Sequence, residues 1–431
     1  MKKLIGLALV GTLAATAMPA QAEILKNFKQ HGELEVIGAL TSNVTDNTSS
    51  LNDNYSTTEA RVIYGIGFDL LEDLQSNVTF VKNNRYYGQA AENLNGIQNA
   101  VTVEEANVVM KKLFGSLDAK VGRQFYGTEG DMVIYFGPVH GAELQPVASL
   151  DAVRADYVGN DKLSAHAMWA RTAAGTLVTD DSTRILGING MYKLSDDLNV
   201  GGYWYNGRTG NPATNLNGTN LHVIGLKANG KVAGLGYSGE LAFNRGAATQ
   251  VANQETPSYV GYAYQLKANY KMDMEFGSLN PRAWLAYGSG DNKGAAVANA
   301  SKDRNFHDIN GNITPGEIMG NSRFNGTFSY GGSLSNKTFY NIGIDFAPKA
   351  VAKYNVALDY YKFMLSSVAA GASTHVGTEI DLVNTYKYSD TVTLKLSFAR
   401  LWPEQAIKDT IAAGRQVSPS SKIGSQLLVS F

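Results

Sequence analysis

Six histidines are the side chains best suited to general acid–base work: His31, His140, His166, His222, His307 and His375. Nucleophilic catalysis needs a base within hydrogen-bond reach of its nucleophile and an orienting acid behind it. No histidine here sits in a nucleophile elbow or an HExxH context, and all six fall in separate segments. They read as polar loop or lumen residues, and an enzyme is not expected. Asp308, Asn310 and Asn312 at alternate positions, with Glu317 nearby, resemble an oxygen-rich calcium loop. Ile313 replaces the turn glycine of that pattern, and Met319 its bidentate glutamate. A hydrated Asn/Asp turn is the simpler reading, and calcium in an extracellular loop is the one ion the spacing suggests. No other cofactor is expected. Cysteine is absent, which removes thiolate metal sites, disulfides and a lipoprotein anchor.

The remaining candidates are charged residues embedded in alternating apolar sequence. Ile342, Ile344 and Phe346 alternate with Asn341, Gly343 and Asp345. Leu394, Leu396 and Phe398 alternate with Thr393, Lys395 and Ser397. Tyr262, Tyr264, Leu266, Ala268 and Tyr270 oppose Gln265, Lys267, Asn269 and Lys271. Period-2 alternation is the mark of a strand with two different faces. Such segments are expected at 32–42, 57–70, 76–88, 101–113, 116–127, 150–158, 162–173, 183–194, 198–208, 219–229, 234–247, 258–272, 278–290, 337–347, 353–365, 374–388, 391–402 and 420–431. They are longer than the ~5–6 residues usual in soluble sheets and match the ~9–11 needed to cross a bilayer.

The connections alternate in length. Short ones are Leu71-Glu72-Asp73-Leu74, Gly159-Asn160-Asp161-Lys162, Ser195-Asp196-Asp197-Leu198, Asn229-Gly230-Lys231 and Ser389-Asp390. Long ones are 43–56, 89–100, 128–149, 209–218, 248–257, 291–336 and 403–419. The fold class expected is therefore all-β: a transmembrane antiparallel up-and-down barrel of about 18 strands, with short periplasmic turns and long extracellular loops. The loop 291–336 is long enough to fold inward and narrow a pore.

The ends agree. Met1-Lys2-Lys3, the apolar run Leu4 to Ala17 and Ala20-Gln21-Ala22 read as a cleaved Sec-type signal peptide over 1–22, leaving one barrel domain at 23–431. The run is too short for a spanning helix, which needs ~20 apolar residues. Only a few residues then precede the first strand, so no plug domain is expected. The terminal Leu427, Val429 and Phe431 alternate with polar residues, as in a last barrel strand that the assembly machinery reads. A net charge of −1 gives no reason to expect nucleic acid as a partner. The expected location is the outer membrane of a Gram-negative bacterium, among lipid and lipopolysaccharide.

Taking the aliphatic side as lipid-facing, the inward acids are Glu59, Glu105, Asp118, Asp156, Glu240, Asp345, Asp359, Glu379 and Asp381. The inward bases are Arg61, Lys120, Arg154, Lys227, Lys267, Lys271, Arg282 and Lys395. Such a mixed wall is expected to neutralise itself in bracing pairs, with Lys227, Lys267, Lys271 and Arg282 as candidates for a partial basic stripe. Tyr203-Trp204-Tyr205, Tyr86-Tyr87 and Tyr360-Tyr361 read first as interface-girdle residues, whose inward members would face any passing solute.

Several short segments resemble the alginate export family of outer-membrane porins. They are Gly377-Thr378-Glu379-Ile380-Asp381-Leu382 with Tyr386-Lys387-Tyr388, Leu394 to Phe398, Trp402-Pro403, Asn341-Ile342-Gly343 and Leu358 to Phe363. Tyr287-Gly288-Ser289-Gly290-Asp291 and Val121-Gly122-Arg123-Gln124 fit the same family order. The resemblance implies an 18-stranded barrel that exports an anionic polysaccharide through a basic, constricted lumen. It also implies a lumen role for Arg123, although alternation with Val121 puts that residue on the lipid side unless a bulge re-aims it or it sits at the rim. The expected function is passive diffusion of small hydrophilic solutes, saccharides or organic anions among them. Export of a polysaccharide such as alginate is the alternative within transport, and a surface adhesion barrel with binding loops the alternative outside it.

Overall fold

The computed structural model describes residues 26–44, 47–48, 54–84, 101–141, 144–173, 183–210, 218–249, 256–291, 301–321, 328–411 and 415–431. The segment 1–22, Tyr86-Tyr87 and the loop 89–100 lie outside them. Eighteen strands form one closed antiparallel barrel. In chain order they are β1 Lys26–Ser42, β2 Tyr55–Leu71, β3 Leu74–Asn84, β4 Val101–Leu113, β5 Leu117–Gln124, β6 Leu150–Tyr157, β7 Leu163–Ala173, β8 Thr183–Ser195 and β9 Leu198–Thr209. The second half is β10 Thr219–Val232, β11 Leu235–Ala247, β12 Tyr262–Tyr270, β13 Gly277–Gly288, β14 Lys337–Pro348, β15 Tyr354–Leu365, β16 His375–Lys387, β17 Val392–Pro403 and β18 Ser420–Ser430. Each pairs with its neighbour in sequence, and β1 pairs with β18 from Glu33↔Ser430 to Ser42↔Ser421. Phe431 completes the seam: its N–H donates to Gly32 O at 3.0 Å, and Gly32 N–H donates back at 2.7 Å. Closure leaves no open edge, so every strand finds a partner on both sides inside a hydrocarbon layer that offers none.

The alternation sorts the two faces as physical chemistry requires. Val62, Trp169, Leu186, Ile188, Ile224, Leu266, Ile342, Leu358, Leu382 and Leu396 are exposed on the outside, while Glu35, Glu59, Arg61, Glu240, Asn244, Asp359, Glu379 and Asp381 are buried within. No helix among the described residues is long and apolar enough to cross a membrane.

Three local expectations change. Tyr126–Gly127, expected within the strand 116–127, pairs instead with Tyr135–Phe136 in a separate two-stranded sheet, and β5 ends at Gln124. The segment 258–272 is not one strand. Ser258–Tyr259 pairs in parallel with Lys302–Asp303 of the long loop, and β12 begins only at Tyr262. Asn229-Gly230-Lys231 is not a turn either: it lies in β10, paired with β11 through Asn229↔Ser238, Gly230↔Tyr237 and Lys231↔Gly236. The chain reverses at Ala233 and Gly234, with φ of +48° and +85°. A two-residue hairpin of this hand needs left-handed backbone at both central positions. The apolar pair Val232 and Leu235, directly opposed, prolongs the outward face past the Asn-Gly signal.

Candidate functional site

The lumen is crossed by two loops that the barrel wall holds from opposite sides. The first runs from 128 to 149. At one end, Arg61 on β2 is fully buried and donates to Glu35 at 2.5 Å, to Glu33 at 3.2 Å and to the loop carbonyl of Val139 at 3.1 Å. Leu144 N–H donates to Glu59 at 3.1 Å. His140 sits between two carboxylates, with Nε2 2.8 Å from Glu33 and Nδ1 2.9 Å from Glu129. The hydrogen bond with Glu129, then that with Glu33, raises the His140 pKa to about 9 against the effect of burial. Both ring nitrogens are donors in that state. Near the other end of the loop, Asp131 takes Lys227 Nζ of β10 at 3.3 Å. In the closed order β10 lies halfway round the barrel from β1, so the loop spans the bore.

The second loop, within 291–336, meets the first in the middle. Asn310 and Ile309 N–H donate to Val133 O, Tyr135 N–H donates to Asn310 O at 2.8 Å, and Asn312 N–H donates to Asp131 O at 2.8 Å. Asn244 on β11 clasps His307 through both its main-chain N–H and its carbonyl. On the far wall, Glu379 of β16 accepts from Ile318 N–H at 2.7 Å and Met319 N–H at 2.9 Å, and Asp381 accepts from Glu317 N–H at 2.9 Å. Gly316 turns the loop into this cradle with φ of +80°, and a Cβ there would meet Glu379 at 2.7 Å. The Glu317 carboxylate takes Lys422 at 2.7 Å and Ser397 at 2.9 Å. Burial alone would raise its pKa, and the Lys422 ammonium wins and lowers it.

Between these loops and the wall remains a cavity of about 250 Å³, lined among others by His140, Arg282, Glu317, Asp359, Tyr361 and Lys395. A second cavity of about 600 Å³, lined by Lys271, Asn280, Asp345 and Asn355, opens at the short-turn end. Arg282 lines the upper cavity, Asp345 the lower, and the two form an ion pair, with Arg282 also donating to Asp359 at 2.5 Å. This triad stands between the two spaces.

The expected lumen residues divide accordingly. Lys120 pairs with Glu105 at 3.3 Å and Arg154 with Asp156 at 2.8 Å, as wall braces. Asp118 instead caps a turn, accepting from Lys112 N–H. Glu240 accepts from Tyr203 Oη and Gln265 at 2.8 Å each, with Lys227 at 3.7 Å. Lys267 lies over the Trp284 ring at 4.4 Å. Lys271 is exposed beside Asp273 at the lower mouth, and Lys395 faces the upper cavity beside Glu317, with no direct ion pair among the described residues. The partial basic stripe is therefore broken, because Lys227 and Arg282 are each held by two carboxylates.

Arg123 does not line the lumen. It lies on the outward face with Val121, 45% exposed and bidentate with Asp151. Gly122, at φ +119°, does not re-aim it. The calcium candidates are engaged within the protein: Asp308 accepts from Gly311 N–H, Asn310 donates its amide N–H to Tyr135 O, Asn312 accepts from Gly130 N–H, and Glu317 binds Lys422. The last three pin one loop to the other and to the wall. Tyr203 and Tyr205 are inward and buried, not girdle residues, while Trp204 faces out, where it stacks on His222. Glu33, Glu35, Glu129 and Asp131 were missed. The first two follow the same alternation as Glu59 and Arg61, whereas loop residues carry no periodicity to read.

The family model for alginate export matches residues 71–418. No curated protein matches the sequence. Among solved structures, the chain is similar to OccK8 (OprE) of Pseudomonas aeruginosa, with a TM-score of 0.57 and 11% identity over 95% of this chain and 99% of that one. OccAB1 of Acinetobacter baumannii gives 0.57 and 9%, over 95% and 97%. OpdK of Pseudomonas aeruginosa, solved with vanillate, gives 0.52 and 11%, over 94% and 99%. These neighbours share the fold of outer-membrane porins. With its closed barrel, its loop-filled lumen and a family match across most of its length, the chain belongs to the alginate export family of outer-membrane channel proteins.

Proposed function

We propose that this protein is a passive channel for small hydrophilic solutes, narrowed by its two inward loops to a passage beside the Arg282–Asp345–Asp359 triad. The observation that carries this reading is the upper cavity of about 250 Å³, lined by charged groups of both signs and adjoining the wider lower one. Arg282, Lys395 and His140 face it together with Glu317, Asp359 and Asp381. Walls of both signs favour solutes that carry hydroxyls or a single charge, such as saccharides and organic acids. A polyanion conduit needs a focused positive potential, and the lysines and arginines here are largely matched by carboxylates. A neighbour of the same fold was solved with vanillate, a small aromatic acid.

In this reading residues 1–22 direct export and are removed, Phe431 presents the last strand to the barrel assembly machinery, and outer-membrane lipid surrounds the aliphatic outer wall. The test is swelling of liposomes that hold the purified barrel. Mono- and disaccharides and small organic acids should enter, and alginate oligomers should not. Entry of the oligomers at the rate of disaccharides would favour polysaccharide export. Exclusion of every solute from a folded barrel would favour an adhesion barrel.

A further inference from the structure

Outside the lumen, the long-loop end of the barrel carries a cross-strand row of charge. Arg123 lies opposite Asp151, Asp151 opposite Arg171, Arg171 opposite Arg184, and Arg184 opposite Arg208. The row takes one residue from each of β5 to β9. All five share the outward face: Arg123 follows Val121, Asp151 precedes Val153, Arg171 follows Trp169 and Arg184 precedes Leu186, and these four apolar side chains are exposed. Arg208 is on the same face as Trp204. The row therefore stands one alternation, about 7 Å, beyond an aliphatic and tryptophan band. Tryptophan marks the level where hydrocarbon gives way to headgroups.

Like charges directly opposed across strands are destabilising. Arginines on three consecutive strands of a wall that otherwise presents aliphatic groups thus leave a place for an anion beside those that the described residues do not compensate. Arg123 has Asp151 as a bidentate partner. Arg184 has contacts of its own. Among the described residues, Arg171 and Arg208 meet no carboxylate, and the buried Nε of Arg171 has no hydrogen-bond acceptor. Two strands beyond Arg208, the outward Arg245 faces His222.

We propose that Arg171 and Arg208, on either side of Arg184, form a docking site for the phosphate groups of a phosphorylated glycolipid in the outer leaflet, the chemistry that lipopolysaccharide carries. The guanidinium fork matches phosphate oxygens two at a time, and the acyl chains would lie along Trp169, Leu186 and Ile188 below. The site rests on the outer-membrane location but not on an open pore.

The test counts lipids bound to the intact detergent-solubilised barrel by native mass spectrometry. Its probes are diphosphorylated lipid A, the same lipid with both phosphates removed, and inorganic phosphate as competitor. Wild type should prefer the diphosphorylated lipid, R171Q/R208Q should bind it about tenfold more weakly, and R171K/R208K should recover part of the loss. Heat-modifiable electrophoretic mobility checks that each variant is folded. Equal binding of the dephosphorylated lipid, or unchanged binding by R171Q/R208Q, would overturn the proposal. Displacement of the lipid by equimolar inorganic phosphate would also overturn it, leaving a free-anion site. So would a changed oligomeric state with unchanged lipid counts, which would make the row a contact between barrels. A barrel that binds lipid A in this manner yet conducts no ions would keep this site and reject the channel.

Discussion

At the residue scale, the inward loop hangs on a buried cation and a doubly held histidine. Arg61 compensates Glu33 and Glu35 at once, and Glu35 is itself fully buried. Arg61→Ala takes from the buried Glu35 the cation it contacts and leaves Glu33 only His140, a change that costs about 3–5 kcal/mol when one partner of a buried pair is lost. Urea unfolding in liposomes should show a loss of that order. A loss below about 1 kcal/mol would mean that water reaches the pair. The pH dependence of the clasp has a definite sign. The folded pKa of His140, about 9, lies above its ordinary value of 6.5. Its contribution is fully present below pH 6.5 and is lost as pH rises through 9. Amide exchange in the loop 128–149 should accelerate across that window in wild type. In His140→Gln, exchange should start fast and stay flat.

At the element scale, the two loops support each other through main-chain hydrogen bonds, so neither should keep its shape alone. Gly316→Ala forces a side chain onto the Glu379 cradle at a left-handed position and should loosen the 316–319 segment. Conductance noise should rise while the barrel's heat-resistant mobility is unchanged. A quiet trace would show that the cradle adapts. The strands themselves were largely legible in the sequence, because lipid outside and water inside impose period 2 on every one of them. Leu394, Leu396 and Phe398 already identify β17 and its outward face. The errors fell where another force competes. Asn229-Gly230 is a strong turn signal overridden by the Val232 and Leu235 pair, and Ser258–Tyr259 was drawn away by the long loop. The site was half legible. Wall residues such as Arg61, Glu59, Arg282 and Asp359 follow from alternation. Their partners Val139, Leu144 and Ile318 are presented by loop backbone, which leaves no trace in residue pattern.

At the scale of the whole molecule, a closed barrel with a charged interior must hold water, and its two crossing loops decide how much of the bore stays open. Removing residues 309–320 takes away the central zipper and the Glu379 cradle while leaving all eighteen strands paired. Single-channel conductance in a planar bilayer, compared between wild type and this deletion, tests the central claim most directly. The account predicts small discrete steps with weak ion selectivity for wild type, and steps several-fold larger for the deletion. Wild-type steps as large as those of the deletion, or silence from both folded barrels, would contradict a channel set by its inward loops.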